Sequence, residues 1–472
     1  MKFRKTLTIA LLTLPVILVI VILFAVTIHN YNSKILQIET KTKLELAIIE
    51  LEARNYNNAL GMFSDLIIAD SQDIAAVIGI NSIYQLKGEY LKSYELLSQY
   101  VGTDNPTIVK ALCLTNYELK KYDEAIQYGL KSLANSSQDE ASLTIVLKAI
   151  NLTRNSAALT SLLDVIRIDE LTNSSKFLVY ITELNFGTNK IAEINDIKNK
   201  LPSQFQYVAN EYEANFANVS LAESELVAKT NIAFALVNVG MWEYANIYSE
   251  DMFNINKYYE NSLLFHSIIN INLKNYNIAI QDLESLRKHT THDLNANVLL
   301  LEAYICSKFD DKVEEIITQM ILSFDVENEP QYFEVFKVLY NYHEYELYWK
   351  FYLGVASKMH YNATEVHFMA MKIAAYRKDY LIIPLIIEQV SFADEKLNIA
   401  ERASYIAAQA LNSFNEGQID KAHSLIKTAE ELYFYDPFVH YVKSIIYSDM
   451  GSFNRAIELD LLYEIPIVES IQ

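Results

Sequence analysis

Histidines and paired carboxylates are the residues of this chain whose types and spacing could support metal binding or acid–base chemistry. Nine histidines occur, and His289 and His292 form their only close pair. The pair lies in the segment Arg-Lys-His-Thr-Thr-His, which has no carboxylate or cysteine at ligand spacing. Because zinc needs at least three protein ligands, we predict a solvated turn here and no metal site. Paired acids such as Glu314 with Glu315 are predicted to lie on exposed helix faces.

Motifs for group transfer are absent from the sequence. It contains no Gly-x-Gly-x-x-Gly, no glycine-rich phosphate loop, no His-Glu-x-x-His and no Cys-x-x-Cys. We therefore predict no catalytic residue, no cofactor and no metal, which describes a protein that is not an enzyme.

Aromatic side chains are concentrated between Tyr332 and Tyr352, where ten of 21 residues are Phe, Tyr or Trp. They cannot all lie on one stripe of a helix, so the segment is either an overfilled core between helices or a partly exposed binding surface. In the second interpretation Tyr340, Tyr345 and Trp349 contact a partner. An enzyme or carbohydrate-binding protein that uses an aromatic groove here is an alternative function.

A short pattern that recurs every 34 residues indicates which elements position these side chains. Trp242 is followed three residues later by Ala245, and Tyr276 is followed at the same distance by Ala279. Each period offers two amphipathic helices, and the small residue lets the second helix approach the first closely. Since neither helix can bury its apolar stripe alone, neighbouring units must stack. Only 10 glycines and 7 prolines occur, which also favours helices joined by short turns.

This period and these residues resemble the tetratricopeptide repeat (TPR) family. The resemblance implies an all-α fold, an α-solenoid of about twelve TPR-like helix pairs, here after an N-terminal transmembrane helix. It also implies a binding scaffold whose first helices line the concave side and hold a peptide or protein segment. The period fails between residues 201 and 220, where the spacing leaves room for one unpaired helix. The predicted organisation is a cytoplasmic basic tail (1–5), a transmembrane helix (6–28), an N-terminal TPR-like block (36–200), a seam with an unpaired helix (201–220) and a C-terminal TPR-like block (221–466).

The N-terminal segment 6–28 is an uncharged run rich in Leu, Ile and Val. As a helix it would extend about 34 Å, enough for a hydrocarbon core of about 30 Å. A cleaved signal peptide is the alternative, although such peptides have shorter apolar regions. Basic residues before the run favour a cytoplasmic N-terminus. We therefore predict a single-pass anchor in the cell membrane with an extracytoplasmic repeat domain; a cytoplasm-facing adaptor is the alternative topology.

The net charge of −20 bears on partners. An acidic body repels phosphate backbones, so nucleic acid is excluded as a partner. The predicted function is a membrane-tethered TPR scaffold for protein–protein interaction or assembly at the outer face of a bacterial cytoplasmic membrane. Four asparagines occupy the same position near the ends of first helices: Asn238, Asn272, Asn341 and Asn415. They either form a ladder of amides that binds a peptide backbone or suit a left-handed helix cap.

The C-terminal residues after Ala456 are unusually apolar and include Leu462 and Ile465. No polar-backed capping helix follows them, and Pro466 prevents a long helical extension. We therefore predict that the last repeat docks on a partner or on a second copy of the chain through Leu462 and Ile465.

Overall fold

The structure is a computed structural model that describes residues 42–216, 225–255, 260–288, 293–355, 358–359, 364–391 and 397–460. Every regular element in these residues is a helix, and none of them forms a strand. The predicted all-α fold is therefore confirmed for the described part of the chain.

Twenty-five α-helices occur in the described residues. The first, α1, spans 42–52. The others are α2 (Tyr56–Ala69), α3 (Ile74–Leu86), α4 (Tyr90–Ser98), α5 (Pro106–Glu118), α6 (Tyr122–Asn135), α7 (Glu140–Thr153), α8 (Ser156–Val165), α9 (Asn173–Asn185), α10 (Ile191–Ile197), α11 (Ser203–Asn215), α12 (Glu225–Asn238), α13 (Trp242–Ile255), α14 (Glu260–Asn272), α15 (Tyr276–Arg287), α16 (Leu294–Cys306), α17 (Asp310–Leu322), α18 (Glu329–Asn341), α19 (Tyr345–Val355), α20 (Thr364–Tyr376), α21 (Ile383–Ser391), α22 (Ile399–Asn415), α23 (Ile419–Leu432), α24 (Pro437–Tyr447) and α25 (Met450–Asp460).

Twelve tight turns join these helices in pairs, and each turn contains one residue with a positive φ. These turn residues are Arg54, Gly88, Lys120, Arg154, Gly187, Gly240, Lys274, Lys308, His343, Lys378, Gly417 and Ser448. Most are spaced 32 to 35 residues apart, but 53 residues separate Gly187 from Gly240 because α11 intervenes as an unpaired helix. The described residues therefore form twelve helix hairpins and one additional helix, a TPR-like α-solenoid arrangement.

A repeated hydrogen bond explains the turn conformation. The N–H after each left-handed residue donates back to the last turn of the first helix, as from Asn275 to the Asn270 carbonyl at 2.7 Å and from Asp379 to the Ala374 carbonyl at 2.8 Å. This is the Schellman arrangement, which satisfies carbonyls that the helix end would leave unpaired. The hydrogen bond thus ends the first helix at the same point in each repeat.

The small residue of the repeat pattern is buried wherever the pattern places it. The residues with no exposed surface at this position are Ala59, Ser93, Ala125, Ala245, Ala279, Ala422 and Ala456. Apolar stripes from the two helices of each pair and from neighbouring pairs close around them.

The chain divides into two compact units, Met1–Gly102 and Thr103–Gln472. In the described part of the first unit, α1 to α4 pack around Tyr56, Phe63 and Ile83. The second unit contains α5 to α25, and α5 begins at Pro106 with the Asn105 side chain accepting from the N–H of Thr107 at 2.9 Å. The predicted block boundaries at 200 and 221 stay predictions.

The predicted localisation, a single-pass cell-membrane protein with an extracytoplasmic repeat domain, is contradicted. No helix in the described ranges is both long and apolar enough to cross a membrane. The longest of these helices with both ends described, α22, has 17 residues, whereas a span needs about 20 consecutive apolar residues. Their apolar positions form stripes that pack on neighbouring helices. The predicted span 6–28 itself lies outside the described residues.

Two other predictions also fall outside the described residues. His289 and His292 belong to an undescribed turn, and Leu462 and Ile465 follow the last described residue. The proposal of self-association through the C-terminal repeat stays a prediction.

Candidate protein-binding face

Helix α20, the first helix of its pair, leaves one narrow stripe of side chains accessible. Between Glu365 and Tyr376 of α20, only Glu365, Met369, Lys372 and Tyr376 are not buried. Their spacing of four, three and four residues places them on one side of the helix. The other side packs into the core with residues such as Ile373.

The same register recurs on five first helices. Counted back from the left-handed turn residue, the accessible positions lie 13, 9, 6 and 2 residues earlier. We call the following residues the first-helix face: Val227, Asn231, Phe234 and Asn238 on α12; Phe265, Ile268 and Asn272 on α14; Asn295, Leu299, Glu302 and Cys306 on α16; Pro330, Glu334, Lys337 and Asn341 on α18; and Glu365, Met369, Lys372 and Tyr376 on α20.

Contacts between helices make this face continuous. The Phe234 and Phe265 rings meet edge to face with their centroids 5.8 Å apart. Helix α16 packs against α14 and α18, and α18 packs against α20. At the far end α24 borders the face, where the Phe438 ring lies 5.6 Å from the Lys372 Nζ.

The chemical character of the face changes along its length. At the α12 and α14 end it is uncharged and combines apolar side chains with asparagine amides, and Phe234 is 49% exposed. From α16 to α20 it carries charges, among them Lys337 paired with Glu334 at 3.0 Å. Burial raises the pKa of the Glu302 carboxyl, and the hydrogen bond from the Tyr342 hydroxyl at 2.8 Å opposes that rise. A ligand on this face would meet apolar and amide side chains at one end and charged side chains at the other.

The equivalent face of α7 and α9 is different because the chain's own helix α13 packs against both helices. Lys148, six residues before the turn residue Arg154, is the α7 counterpart of Lys337. Its Nζ lies 2.9 Å from a Glu243 carboxylate oxygen, and the same oxygen accepts the Tyr117 hydroxyl proton at 2.6 Å. Glu243 is only 6% exposed.

Further contacts fix α13 in this position. The Arg154 guanidinium donates to the Ile247 carbonyl at 2.9 Å and to Asp251 at 3.0 Å. Residues 243–249 of α13 are all buried, so neighbouring helices surround this part of α13. We call the surface of the α7 and α9 hairpins on which α13 packs, which includes Lys148 and Arg154, the covered face. It contrasts with the first-helix face, on which no such helix has been described.

Burial and Glu243 raise the pKa of the Tyr117 hydroxyl well above its ordinary value. Tyr117 therefore stays protonated and donates to the carboxylate. One carboxylate oxygen of Glu243 makes both contacts, and its second oxygen is buried and has no hydrogen-bond partner among the described residues. Glu243 consequently depends on Lys148 for its charge compensation.

The four predicted asparagines are each the last residue of a first helix, and all four are exposed. Three of them, Asn238, Asn272 and Asn341, lie on the first-helix face. The interpretation as left-handed caps is wrong, because the positive φ occurs two residues later, at Gly240 in the first case. Asn272 instead donates from its side chain to the Ile268 carbonyl of its own helix at 2.9 Å. Their role in partner binding stays a prediction.

The aromatic segment lies largely in the core. Six of its ten rings are buried: Tyr332, Phe336, Tyr348, Trp349, Phe351 and Tyr352. Trp349 stacks on Tyr352 with 5.6 Å between ring centroids. Tyr340 and Tyr345 are half-buried and lie 5.9 Å apart. The structure thus favours the core interpretation for most of the segment and places Trp349 away from the first-helix face.

A buried His–Asp pair is the arrangement in the described residues that comes nearest to acid–base chemistry. His266 Nδ1 of α14 lies 2.6 Å from an Asp282 oxygen of α15, and Phe253 stacks on the imidazole at 4.7 Å. Both residues are less than 10% exposed. The pair joins the two helices of one hairpin.

Sequence reasoning missed Lys337, Lys372 and Phe234 as members of a common face. The sequence does contain the signal, since these residues lie 13, 9, 6 or 2 positions before the left-handed turn residue of their hairpin. Finding it requires that the turn residue be identified first. That residue is Gly in only four of the twelve turns, so the sequence does not mark it plainly.

Comparisons with known proteins add little to this geometry. No family model matches the chain, and no curated protein matches it. Among solved structures it is similar to the APC/C hetero-tetramer Cut9–Hcn1 (12% identity, 90% of this chain and 94% of that chain, TM-score 0.34) and to yeast Tom70 (13%, 89% and 90%, 0.31). It is also similar to the P58(IPK) TPR domain (12%, 89% and 98%, 0.24). With TM-scores this low, the similarity carries no argument about partners or activity.

Proposed function

We propose that this chain is a protein-interaction scaffold that binds a segment of another protein along the first-helix face. The observation that carries the proposal is the register. Five successive first helices present side chains at the same positions, and together these form one continuous accessible strip. A strip of this kind suits an elongated peptide or a helix better than it suits a small molecule.

The composition of the strip supports a protein ligand. Phe234 and Phe265 offer exposed aromatic surface, and aromatic residues dominate the energetics of protein interfaces. The terminal amides Asn238, Asn272 and Asn341 can donate to and accept from a peptide backbone without demanding a particular sequence. In this proposal the chain positions its partner and makes or breaks no bond.

Photo-crosslinking in the native cells tests the proposal. A photoreactive amino acid replaces Phe234 or Met369 on the first-helix face, or Thr318 on α17 or Thr428 on α23 as matched controls on second helices. Thr318 and Thr428 are exposed. We expect one discrete crosslinked protein from the face positions and none from the controls. Crosslinks that arise only from Thr318 and Thr428 would overturn the proposal.

A further inference from the structure

The outward side of the second helix is exposed in four other hairpins and buried in the hairpin of α13. The third and seventh residues after the left-handed turn residue lie on this side. On α6, α15, α17 and α19 these positions hold exposed residues: Asp123, Gln127, Asn277, Gln281, Asp311, Glu315, Glu346 and Lys350. On α13 they hold Glu243 and Ile247, each only 6% exposed. The side of α13 that is solvated on its counterparts is therefore covered, and α7 and α9 are the helices that pack against it.

Contacts from two earlier turns hold this side of α13 in place. Besides the contacts already described, the Arg154 guanidinium lies 3.2 Å from a Glu250 oxygen. The Lys120 Nζ, in the α5–α6 turn, donates to the Lys274 carbonyl at 3.0 Å and to the Asn275 side-chain oxygen at 2.9 Å. We call these contacts the clasp. They join Tyr117, Lys120, Lys148 and Arg154 on one side to Glu243, Ile247, Glu250, Asp251, Lys274 and Asn275 on the other.

The clasp consists of charged groups that water can reach. Every hydrogen bond and ion pair in it has a lysine, an arginine or a carboxylate on at least one side. The Arg154 and Glu250 side chains are 41% and 40% exposed, and Lys120 is exposed as well. Exposed ion pairs contribute little to stability, and dissolved salt screens them. The clasp therefore weakens as the ionic strength rises.

The other sides of α13 pack in a different way. Helix α13 packs against α12 and α14, and Ala245 and Tyr248 belong to an apolar cluster that includes residues of α12. On the clasp side, in contrast, one Glu243 oxygen is buried without a hydrogen-bond partner among the described residues. Such an oxygen costs free energy that hydration recovers. Separation of α13 from α7 thus hydrates Glu243 and leaves the packing of α13 on α12 and α14 intact.

We propose that the clasp opens reversibly and that α13 blocks the covered face while the clasp is closed. Opening separates α13 and the α14–α15 turn from α5 and α7, which makes Tyr117, Lys148 and Arg154 accessible to a partner. Polar contacts between two parts of one chain resemble transient protein interfaces, for which relative motion is expected. Screening of the ion pairs shifts the population towards the open conformation. This inference goes beyond the proposed function, because it stands whether or not the first-helix face binds a segment.

An introduced thiol measures the opening. Ile247→Cys is made in the full chain together with Cys306→Ser, which removes the half-buried native thiol. Ile316→Cys in the same background is the matched control, because Ile316 of α17 is 1% exposed and has no part in the clasp. An uncharged maleimide labels both chains at about 0.1 M and about 1 M salt, between which the screening length falls to about a third. We expect about tenfold faster labelling of Ile247→Cys at high salt and an unchanged rate for Ile316→Cys.

Removal of the exposed cations should open the clasp without added salt. In Lys120→Met with Arg154→Met, Asp251 keeps Lys229 as an ion-pair partner at 3.0 Å, so the double variant leaves no unpaired charge at Asp251. We expect about tenfold faster labelling of Ile247→Cys at about 0.1 M salt and a smaller further increase at about 1 M. The control Lys312→Met with Lys427→Met removes two exposed lysines of second helices and should leave the labelling rate unchanged.

Lysine acetylation gives a second measurement, on the unaltered chain. The Lys148 and Lys337 side chains are 34% and 39% exposed, but Lys148 contacts a buried carboxylate and Lys337 an exposed one. From low to high salt we expect acetylation of Lys148 to accelerate about fivefold and that of Lys337 by less than about twofold. Mass spectrometry of the digested chain measures both rates. If Ile247→Cys does not fold, this measurement decides alone.

Three results overturn the inference. The first is labelling of Ile247→Cys that does not accelerate with salt. The second is equal acceleration in Ile247→Cys and Ile316→Cys, which would reflect unfolding of the whole chain. The third is acetylation of Lys148 that responds to salt no more than that of Lys337. None of these results affects crosslinking from Phe234 and Met369, which tests the scaffold proposal separately.

Discussion

The covered face of α7 and α9 and the first-helix face of α12 to α20 are built on the same register but differ in what lies on them. On the covered face Lys148 contacts Glu243 of the chain's own α13. On the first-helix face the equivalent Lys337 pairs with Glu334 of its own helix, its only ion-pair partner among the residues that the structure describes. The same side chain at the same position thus compensates a buried carboxylate in one region and pairs with an exposed carboxylate in the other. The difference teaches that register alone does not decide whether a solenoid face is a binding site.

The largest expected effect comes from Lys148→Met. Glu243 is buried, so removing Lys148 leaves a carboxylate whose remaining hydrogen bond is from Tyr117, at a cost of about 3 kcal/mol. The matched variant Lys337→Met removes an exposed pair and should cost less than about 0.5 kcal/mol. Urea unfolding followed by circular dichroism measures both. Equal costs would show that α13 is not fixed on the covered face.

Ala279→Leu tests the core of the α14–α15 hairpin, which holds α14 and its part of the first-helix face in position. Ala279 has no exposed surface, and forcing three extra carbons into the close helix crossing should cost about 2 kcal/mol. The adjacent residue gives a control, because Ile278 is 44% exposed. Ile278→Leu should change stability by less than about 0.5 kcal/mol. A thermal midpoint that is unchanged in Ala279→Leu would refute the assigned helix crossing.

Phe234→Ala separates binding from stability on the first-helix face. The ring is about half exposed and loses one edge-to-face contact, so stability should fall by no more than about 1 kcal/mol. Crosslinking of the partner through Met369 should fall markedly, since an aromatic anchor is removed. Leu322→Ala on α17, where Leu322 is 80% exposed, is the control. Undiminished crosslinking in Phe234→Ala would restrict the binding site to α16–α20.

Asn238→Ala with Asn272→Ala should alter stability by less than about 0.5 kcal/mol, because both side chains are exposed at helix ends. If the amides bind a peptide backbone, partner crosslinking through Met369 weakens while the unfolding midpoint stays constant. A lower midpoint with unchanged crosslinking would mean that these asparagines only support their helix ends.

The two cysteines allow a buried core position to be compared with the first-helix face without a change in stability. Burial raises the pKa of the Cys113 thiol to about 12, so at pH 8 only about one part in ten thousand is the reactive thiolate. Cys306 is half-buried on the first-helix face. A thiol reagent should therefore label one site in the native chain and two after unfolding, and Cys306→Ser should abolish native labelling. Rapid native labelling of Cys113 would contradict the packing of α5 against α6 and α7.

Much of the fold follows from local sequence. Trp242 with Ala245 and Tyr276 with Ala279 predict helix hairpins at the correct positions, because a 34-residue period and a small residue at the close crossing are local requirements. The extra spacing before Gly240 likewise predicts an unpaired helix, and α11 lies in that interval. The apolar run 6–28 is also a local signal, but the membrane localisation inferred from it is contradicted. The hydropathy of one segment carries no information about the later helices, whose apolar residues form stripes that pack on neighbouring helices.

Tertiary structure alone decided which face is covered. Arg154 meets Asp251, and Tyr117 meets Glu243, across 97 and 126 residues of sequence. No periodicity marks these pairs, since Lys148 and Lys337 occupy the same position in their repeats and differ only in what packs above them. The aromatic segment makes the same point, because its composition is equally compatible with a core and with a surface. Only the packing of the helices shows that Trp349 is buried. The sequence by itself therefore determined the repeating unit, whose contacts are close along the chain. The availability of each face depends on contacts between repeats that are distant along the chain, and only the folded structure brings those repeats together.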